Sequence, residues 1–315
     1  MMVDLEILKK QLGGIQGKMN FETVEPFVNI SEKEFRKEVG VELFDYLKTL
    51  TASDSLLDLA QGVIAWTSMA LALPHLKMRI GDLGLLKTSP SNTIAVAKWE
   101  YVDSKESILE MVDMYWEFFW EELELETPQA WKNSAAYTAR MKMFIRSADE
   151  LGTYVPLVGR NRRFFRQLEK FILRAENLYI SQTITPQVLA ALKANYREDT
   201  LSPTEESLIE AVRYPLAYLT LHEAYPYLPI KADENGLREV RKWDGVTNES
   251  TAGSGLKDAQ RQQIWQDAQL YLGQLKKLMD QHSTLTVFPE YYAANLAASG
   301  IDDDEDFTDK AHILI

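Results

Sequence analysis

Four histidines, His75, His222, His282 and His312, are the first candidates for metal or acid–base chemistry. A di-metal bundle site needs a Glu three residues before a His on two helices. Those positions hold Ala72, Leu219, Met279 and Asp309. His222-Glu223 opens like a zinc-protease helix, but the expected second histidine position is Pro226. Both metal patterns fail, and no metal ligand set or cofactor is expected. His75 and His222 read as packed or capping imidazoles near helix ends, where a cation suits the negative end of the dipole. Gly13-Gly14-Ile15-Gln16-Gly17-Lys18 is one residue short of a phosphate loop and follows no strand, so it reads as a turn. Zero cysteines exclude thiol nucleophiles, thiolate metal sites and disulfides together. The carboxylates Glu117, Glu121, Glu122, Glu124 and Glu126 read as a solvated helix face. A hydrolase would need such acids held in a cleft with separated pKa values, and no nucleophile–base pair accompanies them. Catalytic residues are therefore expected to be absent.

Two local anomalies remain. The run Arg160-Asn161-Arg162-Arg163-Phe164-Phe165-Arg166 packs arginines against aromatics, a combination suited to phosphate or stacked bases. The competing reading, favoured by the acidic chain, pairs Arg160, Arg162 and Arg163 with carboxylates of a neighbouring helix or subunit. The second anomaly is Tyr115-Trp116-Glu117-Phe118-Phe119-Trp120. One helix face takes Tyr115, Trp116, Phe119 and Trp120, and Phe118 falls on another. Aromatics on more than one face suggest a contact surface, so Trp116, Phe118 and Trp120 are candidate interface residues.

The elements that carry these residues follow from composition and repetition. The 315 residues include 34 basic and 47 acidic side chains, for a net charge of −13. That charge excludes a protein that coats nucleic acid by general attraction, so DNA contact is expected to be weak at most. The first eleven residues carry Asp4 and Glu6 and do not read as a secretory signal. The most apolar stretch, residues 63–76, contains Pro74 and reads as too short to cross a bilayer.

Self-similarity organises the chain. Residues 21–28 align with 165–172, and Lys98-Trp99-Glu100 aligns with Lys242-Trp243-Asp244, at the same spacing of 144 (243 − 99). Val63-Ile64-Ala65-Trp66 matches Ala211-Val212-Arg213-Tyr214, Gly84-Leu85 matches Gly236-Leu237, and Ile108 and Tyr115 match Ile264 and Tyr271. The expected domains are a first helical repeat at 1–126, a helical connector at 127–164, a second repeat at 165–282 and an extension at 283–315 with an acidic, flexible tail. Ser31 is expected to cap one helix, and Ser53 or Asp54 an apolar one through Val63 and Leu71. The final helix of the first repeat is expected from Ser104, and that of the second over Lys257–Met279. Residues 135–150 read as one connector helix. Ser202-Pro203-Thr204-Glu205 starts a helix in the second half. Between the last two helices of each half, residues 94–102 and 240–246 are β-branched and aromatic and read as extended arms. An isolated arm is marginal in water, so Lys98, Trp99, Lys242 and Trp243 are expected to contact another element or subunit. The fold class is thus all-α, with two similar helical-bundle halves in tandem, each carrying a short extended β-arm insert.

This order of capped helix, long apolar helix, Gly-containing turn, Lys-Trp arm and final amphipathic helix resembles the head–tail connector (adaptor) proteins of tailed bacteriophages. A tandem version is similar to uncharacterised proteins of Bacteroidetes phages and prophages. The resemblance covers roughly residues 20–125 and 165–280 and carries no catalytic residue. It implies a non-enzymatic homo-oligomer that docks to portal and tail proteins, present in the bacterial cytoplasm during assembly and in the virion afterwards, without a membrane. The duplication and the extension past His282 depart from the usual pattern. The alternative is a helical-repeat module of the bacterial host that binds a protein between its halves.

Overall fold

A computed structural model describes residues 1–13, 20–76, 78–81, 84–87, 98–155, 158, 161–228, 230–233, 236–239 and 254–297. They fall into two compact units that divide between Glu169 and Lys170. Both are built of helices, as expected, and the same succession of elements occurs in each.

In the first unit, α1 (Leu5–Leu12) is capped by Asp4, whose side chain accepts from Ile7 N. α2 (Glu25–Val39) has Pro26 in its first turn, and Gly40, at φ +88°, ends it. Its inward stripe is Val28, Ser31, Phe35 and Val39. Ser31 therefore does not cap a helix, as its neighbours suggested, but faces inward from the middle of one. α3 (Val41–Leu47) leads to α4 (Ser55–Leu76). Here Asp54 supplies the cap, accepting from Leu57 N at 3.2 Å. Among the described residues α4 is long and apolar enough, by length and composition, to cross a membrane, and half of that stretch is buried inside the protein. The helix carries Leu56, Leu57, Ala60, Val63, Ile64, Thr67 and Leu71 from the Asp54 cap onward, as their spacing predicts, and runs on through Pro74.

Two four-residue strands, β1 (Met78–Gly81) and β2 (Gly84–Lys87), form an antiparallel hairpin after α4, with Gly81 opposite Gly84. α5 (Lys98–Glu126) follows and returns along α4. The pairing of Ser55 with Glu122 and the approach of Gly62 to Tyr115 fix the antiparallel direction. Val112, Trp116, Phe119 and Leu123, spaced four, three and four apart, are the buried stripe of α5. Each such side chain contributes roughly 1.5–3 kcal/mol by burial. α6 (Gln129–Lys132), α7 (Ala135–Arg140) and α8 (Ala148–Tyr154) follow, so the expected single helix at 135–150 is two short ones. Trp131 and Tyr137 of this segment belong to the same core cluster as Phe35 and Phe119.

The second unit repeats the plan. α9 (Arg162–Ala175), which starts in the first unit, continues through a π-helical turn (Glu176–Ile180) into α10 (Ser181–Ile184) and then α11 (Pro186–Glu198). α12 (Pro203–Ala224) opens on a complete capping box, Ser202 with Glu205. The hairpin β3 (Ile230–Asp233) and β4 (Gly236–Glu239) has the same register as the first, Asp233 opposite Gly236. α13 (Ser254–His282) returns along α12, with Tyr214 stacked on Tyr271 and His222 tilted against Trp265. α14 (Pro289–Asn295) closes the described chain. α4 and α12 are both 22 residues long, and α5 and α13 both 29, which makes the duplication a property of the fold as well as of the residues.

The arms are the main correction. Residues 94–97 and 240–246, with the extension from 298 on, lie outside the described residues. Lys98 to Val102 are helical, not extended, and α5 begins six residues before Ser104. The Ser104 hydroxyl donates back to Glu100 O at 2.7 Å instead of capping. β-Branched and aromatic residues are only weakly biased against helix, and packing of the whole of α5 on α4 outweighs that bias. The described strands lie earlier, directly after α4 and α12.

Gly62 is the tightest point of the α4–α5 contact. A Cβ there would stand 2.1 Å from Tyr115 Cε1 and 2.3 Å from Cδ1. Gly62→Ala is expected to lower the stability of the first unit by about 1–3 kcal/mol through overpacking. Thermal unfolding measures it, and an unchanged midpoint contradicts the assigned packing.

Candidate functional site

Some of the charged and aromatic residues singled out by sequence, Trp116, Arg162 and Arg163, meet beside α5. Arg162, at the first turn of α9, is buried, and its Nη2 donates to Glu38 Oε1 of α2 at 2.8 Å. The guanidinium also lies over Trp116, 4.0 Å from the ring centroid. Arg166 Nη1 meets the other Glu38 oxygen at 2.8 Å, and Arg163 Nε meets Asp113 Oδ2 of α5 at 3.1 Å. One acid on α2 and one on α5 therefore hold the start of α9. Arg162 and Arg163 pair with neighbouring helices, which is the reading the acidic chain favoured over phosphate. Arg160 lies outside the described residues, as do Lys242 and Trp243.

The aromatic run divides in two. Trp116 and Trp120 are core, not docking surface: Trp120 stacks on Trp116 at 5.6 Å, and Phe35 lies 5.3 Å from Trp116. The face of Tyr115, Trp116, Phe119 and Trp120 is covered in turn by Gly62 and Trp66 of α4 at Tyr115, by Phe35 of α2 at Trp116 and Phe119, and by Trp131 of α6 at Trp120. Phe118 is on the outer side and exposed. Trp99, in the first turn of α5 beside Lys98, is 54% exposed.

Below these lies an open cleft of about 280 Å³, lined by Glu117, Glu121, Glu124, Arg140, Asp149 and Glu150 among others. Arg140 sits over the Trp120 ring at 4.1 Å, and its Nη2 reaches Glu124 Oε1 at 3.3 Å. Arg146 meets the second Glu124 oxygen at 3.3 Å. Glu117 is buried and accepts from the backbone N–H of Asp149 at 3.4 Å. Burial pushes its carboxyl above the ordinary range, against the pull of that N–H and of Arg140 and Arg162. Burial likewise raises Asp113, although Arg163 opposes it. The cleft's one buried carboxyl can hold a proton, but the arginine beside it is committed to Glu124. Among the described residues no group of three His, Asp or Glu side chains is placed to hold a metal ion.

Sequence reasoning missed Glu38, Asp113 and Arg140, and it placed Glu117 on a solvated face although that carboxylate is buried beside the core. A signal was present: Asp113 and Glu117 flank the core positions Val112 and Trp116, where an uncompensated acid is costly. Two of the histidines meet aromatic rings, although His75, like His282, is exposed. His75 stacks on Phe27 at 5.2 Å, and His222 lies 4.7 Å from Trp265 with its pKa lowered by burial and by Arg261. In the second unit Glu176 is buried with Lys193, and Glu223 accepts from Tyr179 at 2.7 Å while pairing with Arg174 at 2.7 Å. Burial and the hydrogen bond to Glu223 push the Tyr179 hydroxyl up to about 12.

A single family model matches the chain twice, over residues 29–141 and 180–300. The chain belongs to DUF6712, a family of unknown function. Each match contains one long helix pair with its hairpin, so the DUF6712 repeat includes the helix–hairpin–helix unit described above. No curated protein and no solved structure matches the chain.

The raised carboxyls of Asp113 and Glu117 imply a pH dependence of known sign. A folded-state pKa above the unfolded 4.5 means that the fold binds more protons than the unfolded chain. Stability from this source therefore falls as pH rises through the folded pKa, and the cost of ionisation is fully present above it. Glu117→Gln is expected to stabilise the first unit at about pH 7 and to lose that advantage as pH falls toward the unfolded 4.5. Denaturant unfolding of both proteins across that range tests the sign. A difference that stays flat, or grows on acidification, contradicts it.

Proposed function

We propose that this chain is a non-enzymatic structural protein of a phage or prophage particle, a head–tail connector or adaptor that oligomerises and docks to portal and tail components. The observation that supports this reading most directly is the pair of hairpins. Each is a two-stranded sheet and, among the described residues, both outer edges of each are unpaired. A lone hairpin is marginal in water, and an open edge is a template for another strand. Two such ribbons in one chain, each beside the end of a long helix pair, suit a protein that completes its structure in an assembly. Exposed Trp99 near the first hairpin adds apolar area of the kind interfaces use. The negative charge suits a component that lets DNA pass without gripping it.

The protein would then be cytoplasmic during assembly and part of the virion afterwards. Light scattering on size-exclusion fractions and negative-stain imaging, with and without a phage portal protein, test the proposal. Rings or portal-bound particles are expected. A chain that stays monomeric in both conditions overturns the reading and favours the host binding module.

A further inference from the structure

The two copies of the repeat serve as controls for each other on their outward faces. On α5, Glu110, Met114, Phe118, Glu121 and Leu125 follow at intervals of four, four, three and four, so they lie on one stripe. All five are exposed, opposite the buried stripe of Val112, Trp116, Phe119 and Leu123. Met114 is 44% exposed, Phe118 39% and Leu125 77%. The equivalent residues of α13, each 156 positions on as Tyr271 is from Tyr115, are Gln266, Leu270, Gln274, Lys277 and Gln281. They too are exposed, but this face is polar except for Leu270. A solvent-facing helix stripe needs no large apolar residues, and α13 shows how the same repeat is built when water covers it.

The two stripes are also complementary in charge. Glu110 and Glu121 carry the charge of the α5 stripe, and Lys277, equivalent to Glu121, carries that of α13 with Lys276 beside it. Among the described residues none of these four makes an ion pair within the chain. In addition, Glu121 and Glu126 stand in the last turns of α5, where the helix dipole disfavours anions and the helix itself carries no basic residue. A cation-bearing partner surface would relieve that arrangement.

We propose that the outward face of α5 docks against the outward face of α13 in a second copy of the chain. Met114, Phe118 and Leu125 surround Leu270, and the acids of the α5 stripe meet Lys276 and Lys277. Unless a two-fold axis pairs both faces at once in a dimer, each end of an assembly keeps one free α5 or α13 face, and association continues to a closed ring or an open filament. The proposal rests on the reading of the chain as a self-assembling protein and specifies the surface that carries the assembly.

Sedimentation velocity of the full chain, at concentrations on the order of 1–100 µM, is the test. The wild type is expected to associate. Phe118→Asp, the pair Glu110→Lys with Glu121→Lys, and the pair Lys276→Glu with Lys277→Glu should each weaken association at least tenfold. Combining the two charge-reversing pairs in one chain should restore it. All these positions are exposed, and unchanged circular dichroism establishes that the variants fold. A wild type that is monomeric alone, association that the variants leave intact, or failure of the combined reversal to restore it overturns the α5–α13 contact. Rings that still form, or a portal protein that is still bound, with Phe118→Asp would overturn this surface while leaving the connector reading in place.

Discussion

Glu38→Ala is expected to destabilise the first unit by about 3–5 kcal/mol, the cost of removing one partner of a buried ion pair. Glu38 is the shared anion of Arg162 and Arg166, at 2.8 Å from each. Arg166 is half exposed and loses little, since water can solvate it. Arg162 cannot turn to water. Its side chain is only 10% exposed and its guanidinium rests on Trp116. Burial already draws its pKa below the ordinary value, and Glu38 is the main group opposing that shift. Without the carboxylate a cation is left uncompensated between α2 and α5. The double variant Glu38→Leu with Arg162→Met should lie close to the wild type, because an apolar pair of similar volume removes both desolvation costs. Of the seven tryptophans, Trp66, Trp99, Trp116, Trp120 and Trp131 are in the first unit, so denaturation followed by fluorescence reports mainly on it. A loss below about 1 kcal/mol for Glu38→Ala would mean that the pair is solvated and does not hold α9 in place.

Trp131→Ala should cost the first unit a further about 3–5 kcal/mol, as expected for a large aromatic removed from a core. Trp131 lies on α6, in the stretch that composition suggested was a connector between the repeats. Its ring is buried edge-on to Tyr137 at 5.6 Å and 5.6 Å from Trp120, the ring that Arg140 covers on its own account. The segment from 129 to 154 is therefore tied to α5 by rings and by the Arg140–Glu124–Arg146 contacts. Hydrogen exchange should show α6 to α8 opening together with α4 and α5 in the wild type. Loss of protection confined to 129–154 in Trp131→Ala, with an unchanged midpoint for α4 and α5, would make the segment an appendage.

The helical class, the duplication and the approximate place of each long helix were legible in the residues. Apolar positions spaced three and four apart record which face a helix buries, and the second repeat preserves that record in Leu275 and Met279 as the first does in Phe119 and Leu123. Capping was legible where the side chain could do nothing else: Ser202 and Glu205 bond each other's backbone, while Ser31 and Ser104, equally plausible caps, sit inside helices. The start of α5 was misplaced because residues 98–102 have extended-chain propensities of a few tenths of a kcal/mol each, and these yield to packing along a 29-residue helix.

The residues alone determined that arginines and aromatics on and after α5 were unusual and that acids were numerous enough to pair with them. They did not determine which acid meets which arginine, because Glu38 and Arg162 are 124 positions apart. Nor did they decide that Trp116 and Trp120 turn inward while Phe118, between them, stays in water. A helix repeats every 3.6 residues, so the spacing names the faces. Only the neighbours brought up by the rest of the chain determine which face is covered.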